Sequence, residues 1–344
     1  MVFGVLGSGS WGTAITKILS GNGHITCWWV RNERSLQHIK AHCHNPQYLS
    51  AATLDTRKLY LSASAQEIIS KSEIVIIAIP SAYVKEMLQG LPKDIFTGKK
   101  IISAVKGILP DENILLNEYL QTHFDFPLEN YFTLLGPCHA EEIAAQKLSY
   151  LTITGIDREF AEQIALHFKN HFVNTITNED VTGVQYAAVL KNIYALGAGI
   201  AHGLDYGDNF QSVLISNSAD EMAGFLRKAG IFNAQIGWLD HEKIDHQKRN
   251  NYAASVYLGD LLVTCYSLHS RNRAFGTMIG KGYSVKAAQL EMNMVAEGYN
   301  ASKCMHIINE KVQEPMPIAE TVYGILWQKA SPLESFKHLE KLLV

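Results

Sequence analysis

Cysteine is sparse in this 344-residue chain, and the five present, Cys27, Cys43, Cys138, Cys265 and Cys304, are odd in number and widely scattered, with no C-x-x-C pair. That pattern excludes a disulfide framework and offers neither a zinc site nor a redox centre, so the chain reads as reduced and metal-free. An excess of either charge is also missing, the formal net charge being −3 at pH 7. No overall basic field draws such a chain to nucleic acid or to an anionic membrane, and any anion it binds must be met by a local site. No uninterrupted apolar stretch is long enough to cross a bilayer, and the amino terminus runs straight into a strand pattern without the basic and apolar regions of a secretory signal. A soluble, cytoplasmic protein is the expectation. Internal repeats and low-complexity tracts are absent as well.

What is present is material for a large core, with 47% hydrophobic and 18% charged residues in a chain longer than one typical domain. In the first half, β-rich runs at Val2 to Leu6, Ile25 to Val30, Glu73 to Ile79, Lys100 to Val105, Tyr131 to Leu135 and Leu151 to Thr154 alternate with helical segments. Such alternation predicts a mostly parallel sheet with crossover helices on both faces. The unbroken apolar run Ile74-Val75-Ile76-Ile77-Ala78-Ile79 fits a strand buried on both faces, closed by Pro80. After about Asp180 the strand signals vanish, and Val181 to Leu204, Asn217 to Lys228, Val285 to Glu297 and Pro317 to Lys329 read as helices. The predicted architecture is an α/β domain over residues 1–180 followed by an all-α domain over residues 181–344. The polar run His241 to Asn250 reads as an exposed loop or helix end.

Gly7, Gly9 and Gly12 stand in a G-x-G-x-x-G between the first strand and a helical pattern. A strand ending at Leu6 needs a tight turn at Gly7; Gly9 lets backbone approach a pyrophosphate; Gly12 lets the helix pack close to the sheet. The helix N-terminus then meets the anion with N–H groups and the positive end of its dipole. The first domain is therefore expected to be a Rossmann dinucleotide site. At the end of the second strand, where an acidic side chain would bind ribose hydroxyls and repel a 2′-phosphate, Arg31 comes first and Glu33 two residues later. NADPH should be accepted, with NADH still plausible.

The helix beginning near Val181 is apolar all round, which predicts burial, and Lys191 shares a stripe of it with Val184, Ala188 and Ala195. Two readings stay open. An ammonium buried there must be paired or lose its proton, and both outcomes suit a proton-transferring group; alternatively, its stem packs while its head reaches solvent. Lys106-Gly107 and Gly136-Pro137-Cys138-His139-Ala140 follow predicted strands and fall on the carboxyl edge of the sheet, where ligands gather. Ser270-Arg271-Asn272-Arg273 sets a guanidinium fork beside a hydroxyl and an amide, which suits a phosphate; it also reads as an ordinary polar helix start. Cys138 and Cys265 read as small core or wall residues.

Together these markers make the chain similar to the soluble bacterial NAD(P)-dependent glycerol-3-phosphate dehydrogenases. The likeness runs from Gly4 to about Gly298 through the glycine motif, Ala78-Ile79-Pro80-Ser81, Lys106-Gly107, Gly136-Pro137, Leu190-Lys191-Asn192, Gly199-Ile200 with Gly203-Leu204, Gly207-Asp208-Asn209, Gly259-Asp260-Leu261 and Ser270-Arg271-Asn272-Arg273. The resemblance implies Lys191 as general acid or base, with Asp260 in the catalytic group. Around the substrate it places Lys106, Gly136, Cys138, Lys191, Asp260, Ser270, Arg271 and Asn272, and around the nucleotide Ser10, Trp11, Arg31, Lys106, Ala140, Arg271, Val295 and Glu297. Cys138 departs from a common serine, and a thiol is the poorer donor. Ala229 to Tyr257 lacks the family's usual pattern, and Asn217-Ser218 replaces a common arginine-glycine pair.

By resemblance the chain interconverts dihydroxyacetone phosphate and sn-glycerol 3-phosphate with NADPH or NADH, supplies glycerophospholipid synthesis and forms a homodimer. A 3-hydroxyacid dehydrogenase of the 6-phosphogluconate-dehydrogenase-like type is an alternative, and it would need a carboxylate pocket in place of Ser270 to Asn272. A nucleotide-sensing protein without turnover is another, against which Lys191 and Asp260 argue.

Overall fold

A computed structural model of the chain describes residues 1–231, 254–292 and 295–344, so the run His241 to Asn250 lies outside the described residues. The chain divides into two compact units, Met1–Val105 with Ile114–Val181, and Lys106–Asn113 with Thr182–Val344. The short stretch Lys106–Asn113 thus leaves the first unit in the middle of its sequence and belongs with the second.

In the first unit β1 (Phe3–Leu6), α1 (Ser10–Gly21), β2 (Thr26–Trp29), α2 (Glu33–His42), β3 (Leu59–Ser62), α3 (Ala65–Lys71) and β4 (Ile74–Ile77) are followed by α4 (Val84–Leu88), β5 (Lys100–Ser103), α5 (Leu116–Phe124) and β6 (Tyr131–Leu135). The unit closes with α6 (Ala140–Ala144), β7 (Ser149–Thr154), α7 (Arg158–Phe168) and β8 (Val173–Asn178). The strands form one sheet in the order β3-β2-β1-β4-β5-β6-β7-β8. Neighbours run parallel except β6 and β7, which pair antiparallel with Leu134 opposite Ile153. β1 lies between β2 and β4 with Val5 opposite Trp28 on one side and Ile76 on the other, so the strand order reverses at β1. Open parallel sheets bind ligands at the carboxyl edge of such a reversal. Phe3, Val5, Ile15, Ile18, Trp28, Ile76, Ile102, Phe132, Ile153, Ile164 and Phe168 lie in one continuous core.

All six strands expected from the sequence form, though most are shorter; β4 ends at Ile77, not Ile79. Two strands were not expected. β3 is an edge strand with only Ser62 buried, and β8, at the other edge, buries only Val173, so neither carries a long buried apolar run like that of β4.

The second unit is helical, with α8 (Val181–Gly203), α9 (Asp208–Lys228), α10 (Asp260–Tyr266), α11 (Arg271–Gly280), α12 (Val285–Glu291), α13 (Glu297–Val312), α14 (Pro317–Trp327) and α15 (Pro332–Leu339). The pattern Val285 to Glu297, read as one helix, ends instead at Glu291, and a new helix starts at Glu297. A single π-helical turn, Ala254–Gly259, runs into α10. α8 is buried from residue 187 to 201, as its all-round apolar surface requires. It meets α11 through glycines: a Cβ on Gly199 would collide with the Arg273 carbonyl, and one on Gly276 with that of Leu196. Glu221 of α9 reaches across to α14, where its two carboxyl oxygens accept the N–H groups of Ile318 (2.8 Å) and Ala319 (3.0 Å). It thereby supplies the N-terminal cap that α14's own Met316 does not.

Candidate active site

The glycine loop joins β1 to α1. Gly7 has φ +129°, a conformation that L side chains rarely adopt, and a Cβ there would meet the Ala78 carbonyl. A Cβ on Gly12 would collide with the Gly7 carbonyl, whereas one on Gly9 would meet nothing within 4 Å. Each glycine thus has its own reason: turn, helix packing and open backbone. Gly9 is the N-cap of α1, Ser10 is buried and Trp11 half-buried in the first turn. The open face at Gly9, next to a helix N-terminus, fits a pyrophosphate. Arg31 is exposed beyond the end of β2, and Glu33 is turned along α2, accepting from Gln37 Nε2 at 2.7 Å. After β6, Gly136 has φ +122° and a Cβ there would sit 2.9 Å from the Tyr150 carbonyl. Cys138 is buried, and its thiol turns back on its own loop to donate to the Gly136 carbonyl at 3.4 Å. Ala140, buried, opens α6.

The second unit holds the other residues singled out from the sequence, and it brings Lys191 together with Asp260. Lys191 of α8 forms an ion pair with Asp260 Oδ2 at the start of α10, the two side chains only 3% and 2% exposed. Of the two readings of Lys191, the buried and paired one holds; its head does not reach solvent. The paired charge answers the cost of burial, and removing either partner would strand the other. Beside them, burial pushes the Cys265 thiol up to about 12 despite the opposing charges of Lys191 and Arg273. It therefore remains a neutral wall residue.

Next to Lys191, Asn192 is a buried junction. Its Nδ2 donates to the Lys106 carbonyl at 2.8 Å, and its Oδ1 accepts from Asn272 Nδ2 at 2.8 Å. Asn272 Oδ1 in turn accepts the N–H of Gly298 at 3.0 Å. One chain of hydrogen bonds therefore links Lys106, the neighbour of Lys191, the neighbour of Arg271 and the neighbour of Glu297. Asn272 keeps one amide hydrogen beyond this chain. Ser270 caps α11 by accepting from Arg273 N at 3.3 Å, so the polar-helix-start reading of that segment holds for its hydroxyl oxygen, while the hydroxyl proton stays available to donate. Arg271, the first residue of α11, is exposed. Val295 and Glu297, half-buried, lie before and at the start of α13. Asn192 carries no periodic signal of its own; its sequence marks were adjacency to Lys191 and its place in the Leu190-Lys191-Asn192 marker of the family resemblance.

The family model for the NAD-dependent glycerol-3-phosphate dehydrogenase N-terminus matches residues 3–161 and that for the C-terminus matches residues 180–337. The glycerol-3-phosphate dehydrogenase (NAD(P)+) of Bacillus cytotoxicus is 33% identical over 324 residues, covering 94% of this chain and 90% of the relative. The chain belongs to this family. Among solved structures, the glycerol-3-phosphate dehydrogenase of Coxiella burnetii superposes with a TM-score of 0.86 at 25% identity, covering 98% of both chains. That of Saccharomyces cerevisiae, at 22% identity and a TM-score of 0.76 over 97% of this chain and 98% of the other, shares the fold. The Rossmann domain and the helical domain of the family account for the mostly parallel sheet and the helices described above. Among the described residues no helix is long and apolar enough to cross a membrane.

Proposed function

We propose that this chain catalyses the reversible reduction of dihydroxyacetone phosphate to sn-glycerol 3-phosphate with NADPH or NADH. When bound, the cofactor supplies the hydride, and the remaining tasks fall to the chain's own side chains. The loop of Gly7, Gly9 and Gly12, with Ser10 and Trp11, holds the pyrophosphate; Arg31 meets the adenosine end; Lys106, Ala140, Arg271, Val295 and Glu297 complete the nucleotide contacts. Lys191 gives its proton to the carbonyl oxygen as it becomes an alkoxide, and Asp260 keeps that ammonium charged and aimed. Arg271 grips the substrate phosphate with its planar fork, helped by the Ser270 hydroxyl and the spare amide hydrogen of Asn272. Lys106, Gly136 and Cys138 line the substrate.

The observation that carries this reading is the buried Lys191–Asp260 pair, a charged acid held out of water on an otherwise apolar helix. A folding role alone would be served as well by apolar residues of similar volume. The family likeness carries the wider context: a cytoplasmic homodimer whose product feeds glycerophospholipid synthesis. The test is loss of nicotinamide absorbance on adding dihydroxyacetone phosphate, with NADH and NADPH in turn. Turnover with a 3-oxoacid but not with the phosphorylated triose would replace this reading by the hydroxyacid one, and cofactor binding without any turnover would reduce the chain to a nucleotide sensor.

A further inference from the structure

Three successive carbonyls of the glycine loop are tied down by side chains from β2, from α1 and from the irregular backbone beyond α2. The fully buried Trp28 of β2 donates from Nε1 to the Gly7 carbonyl at 2.8 Å. Asn45, 2% exposed and just beyond α2, donates from Nδ2 to the Ser8 carbonyl at 3.0 Å and to Thr13 Oγ1 at 2.9 Å. Thr13 of α1 donates from both Oγ1 and N to the Gly9 carbonyl, each at 2.9 Å. Asn45 Oδ1 meanwhile accepts from the N–H groups of Gln47 (3.0 Å) and Tyr48 (3.2 Å), so its amide uses both hydrogens and both lone pairs. That complete set also fixes which way round the amide sits.

A trans peptide is planar, with its N–H pointing opposite to its C=O. Anchoring the carbonyls of Gly7, Ser8 and Gly9 therefore fixes the directions of the N–H groups of Ser8, Gly9 and Ser10. Glycines at positions 7 and 9 leave this backbone free to turn unless something outside it holds it. We infer that Asn45, acting with Trp28 and Thr13, is a positioning residue that presets the glycine-loop N–H groups for the cofactor pyrophosphate. Asn45 does not touch the cofactor in this account; it removes from binding the cost of ordering the loop. The inference rests on placing the pyrophosphate at Gly7 to Gly12.

The experiment compares Asn45→Ala and Thr13→Val with the parent enzyme, reading KM for NADPH, kcat at saturating NADPH and the Kd of ADP-ribose, which carries the pyrophosphate but no nicotinamide. Thr13→Val removes only the hydroxyl and keeps the backbone bond to Gly9, so it decides the matter should Asn45→Ala fail to fold. The clamp predicts that KM for NADPH and Kd for ADP-ribose rise together, roughly ten-fold, the scale of one net hydrogen bond. kcat and KM for dihydroxyacetone phosphate should move far less. Unchanged ADP-ribose affinity in the folded variants overturns the clamp. Gly9→Val serves as the reference: if it blocks ADP-ribose while the other two bind normally, only the clamp fails, and if it too binds normally, the placement of the pyrophosphate fails.

Discussion

Replacing Lys191 with methionine keeps the length of the side chain and removes its charge, and two consequences follow from the same ion pair. The first is catalytic: without the proposed proton donor, kcat should fall by roughly 10²-fold or more, while the affinity for NADPH, for which the glycine loop is the proposed anchor, changes little. The second is energetic. Asp260, 2% exposed, would be left as a buried carboxylate without its ammonium, and losing one partner of such a pair costs about 3–5 kcal/mol. Lys191→Met should therefore be both inactive and markedly less stable in urea. The double variant Lys191→Met with Asp260→Leu removes both charges and fills the space, so its stability should return to within ~1 kcal/mol of the parent while its activity stays at the floor. Steady-state kinetics and equilibrium unfolding on the three proteins test this together. Near-normal turnover by folded Lys191→Met would end its catalytic assignment, and a double variant as unstable as the single would show that the pair's electrostatics do not govern stability there.

Three further outcomes are expected. Arg271→Lys keeps charge but loses the fork and should raise KM for dihydroxyacetone phosphate; Arg271→Ala should lose about 2–4 kcal/mol in kcat/KM with that substrate and little with unphosphorylated dihydroxyacetone, a difference that initial rates with both substrates will show. Arg31→Ala should shift the kcat/KM ratio away from NADPH toward NADH, and an unchanged ratio removes Arg31 from cofactor choice. Burial lifts the Glu221 carboxyl from its usual 4.5 to about 8, so the folded state keeps a proton that the unfolded chain releases. Stability from this group is full below about pH 4.5, declines as pH rises and is gone above about pH 8; Glu221→Gln should flatten that part of the urea-midpoint profile between pH 5 and 8.

The burial of α8 was legible because the helix is apolar on every side, but whether the Lys191 head is paired or reaches solvent stayed open, and Asp260 came only from the family resemblance, since nothing in the local pattern around it says which distant charge it meets. The glycine loop was legible for a similar reason: its three glycines each meet a local steric demand. Asn45 left no such trace. Its partners lie 37 and 32 residues away and its environment is irregular backbone, where neither the helical nor the strand period applies. The central strand β4 announced itself through a continuous apolar run, and the two edges, β3 and β8, did not, because edge strands bury too little to need a long one. The stretch Lys106–Asn113 joins the second unit without any composition shift to mark it.

That stretch means the chain crosses between its units three times, at Val105, Asn113 and Val181. Neither unit is therefore a contiguous piece of sequence that a ribosome finishes before starting the other. The Asn192 amide, 4% exposed, finds its acceptor at Lys106, 86 residues earlier. A fragment beginning at residue 182 would bury that donor unsatisfied, at a cost of about 1–3 kcal/mol, right beside Lys191. The helical half should thus acquire its catalytic geometry only in the presence of a loop made with the nucleotide-binding half, so that separately expressed halves cut at residue 181 would have to reassemble before either could work.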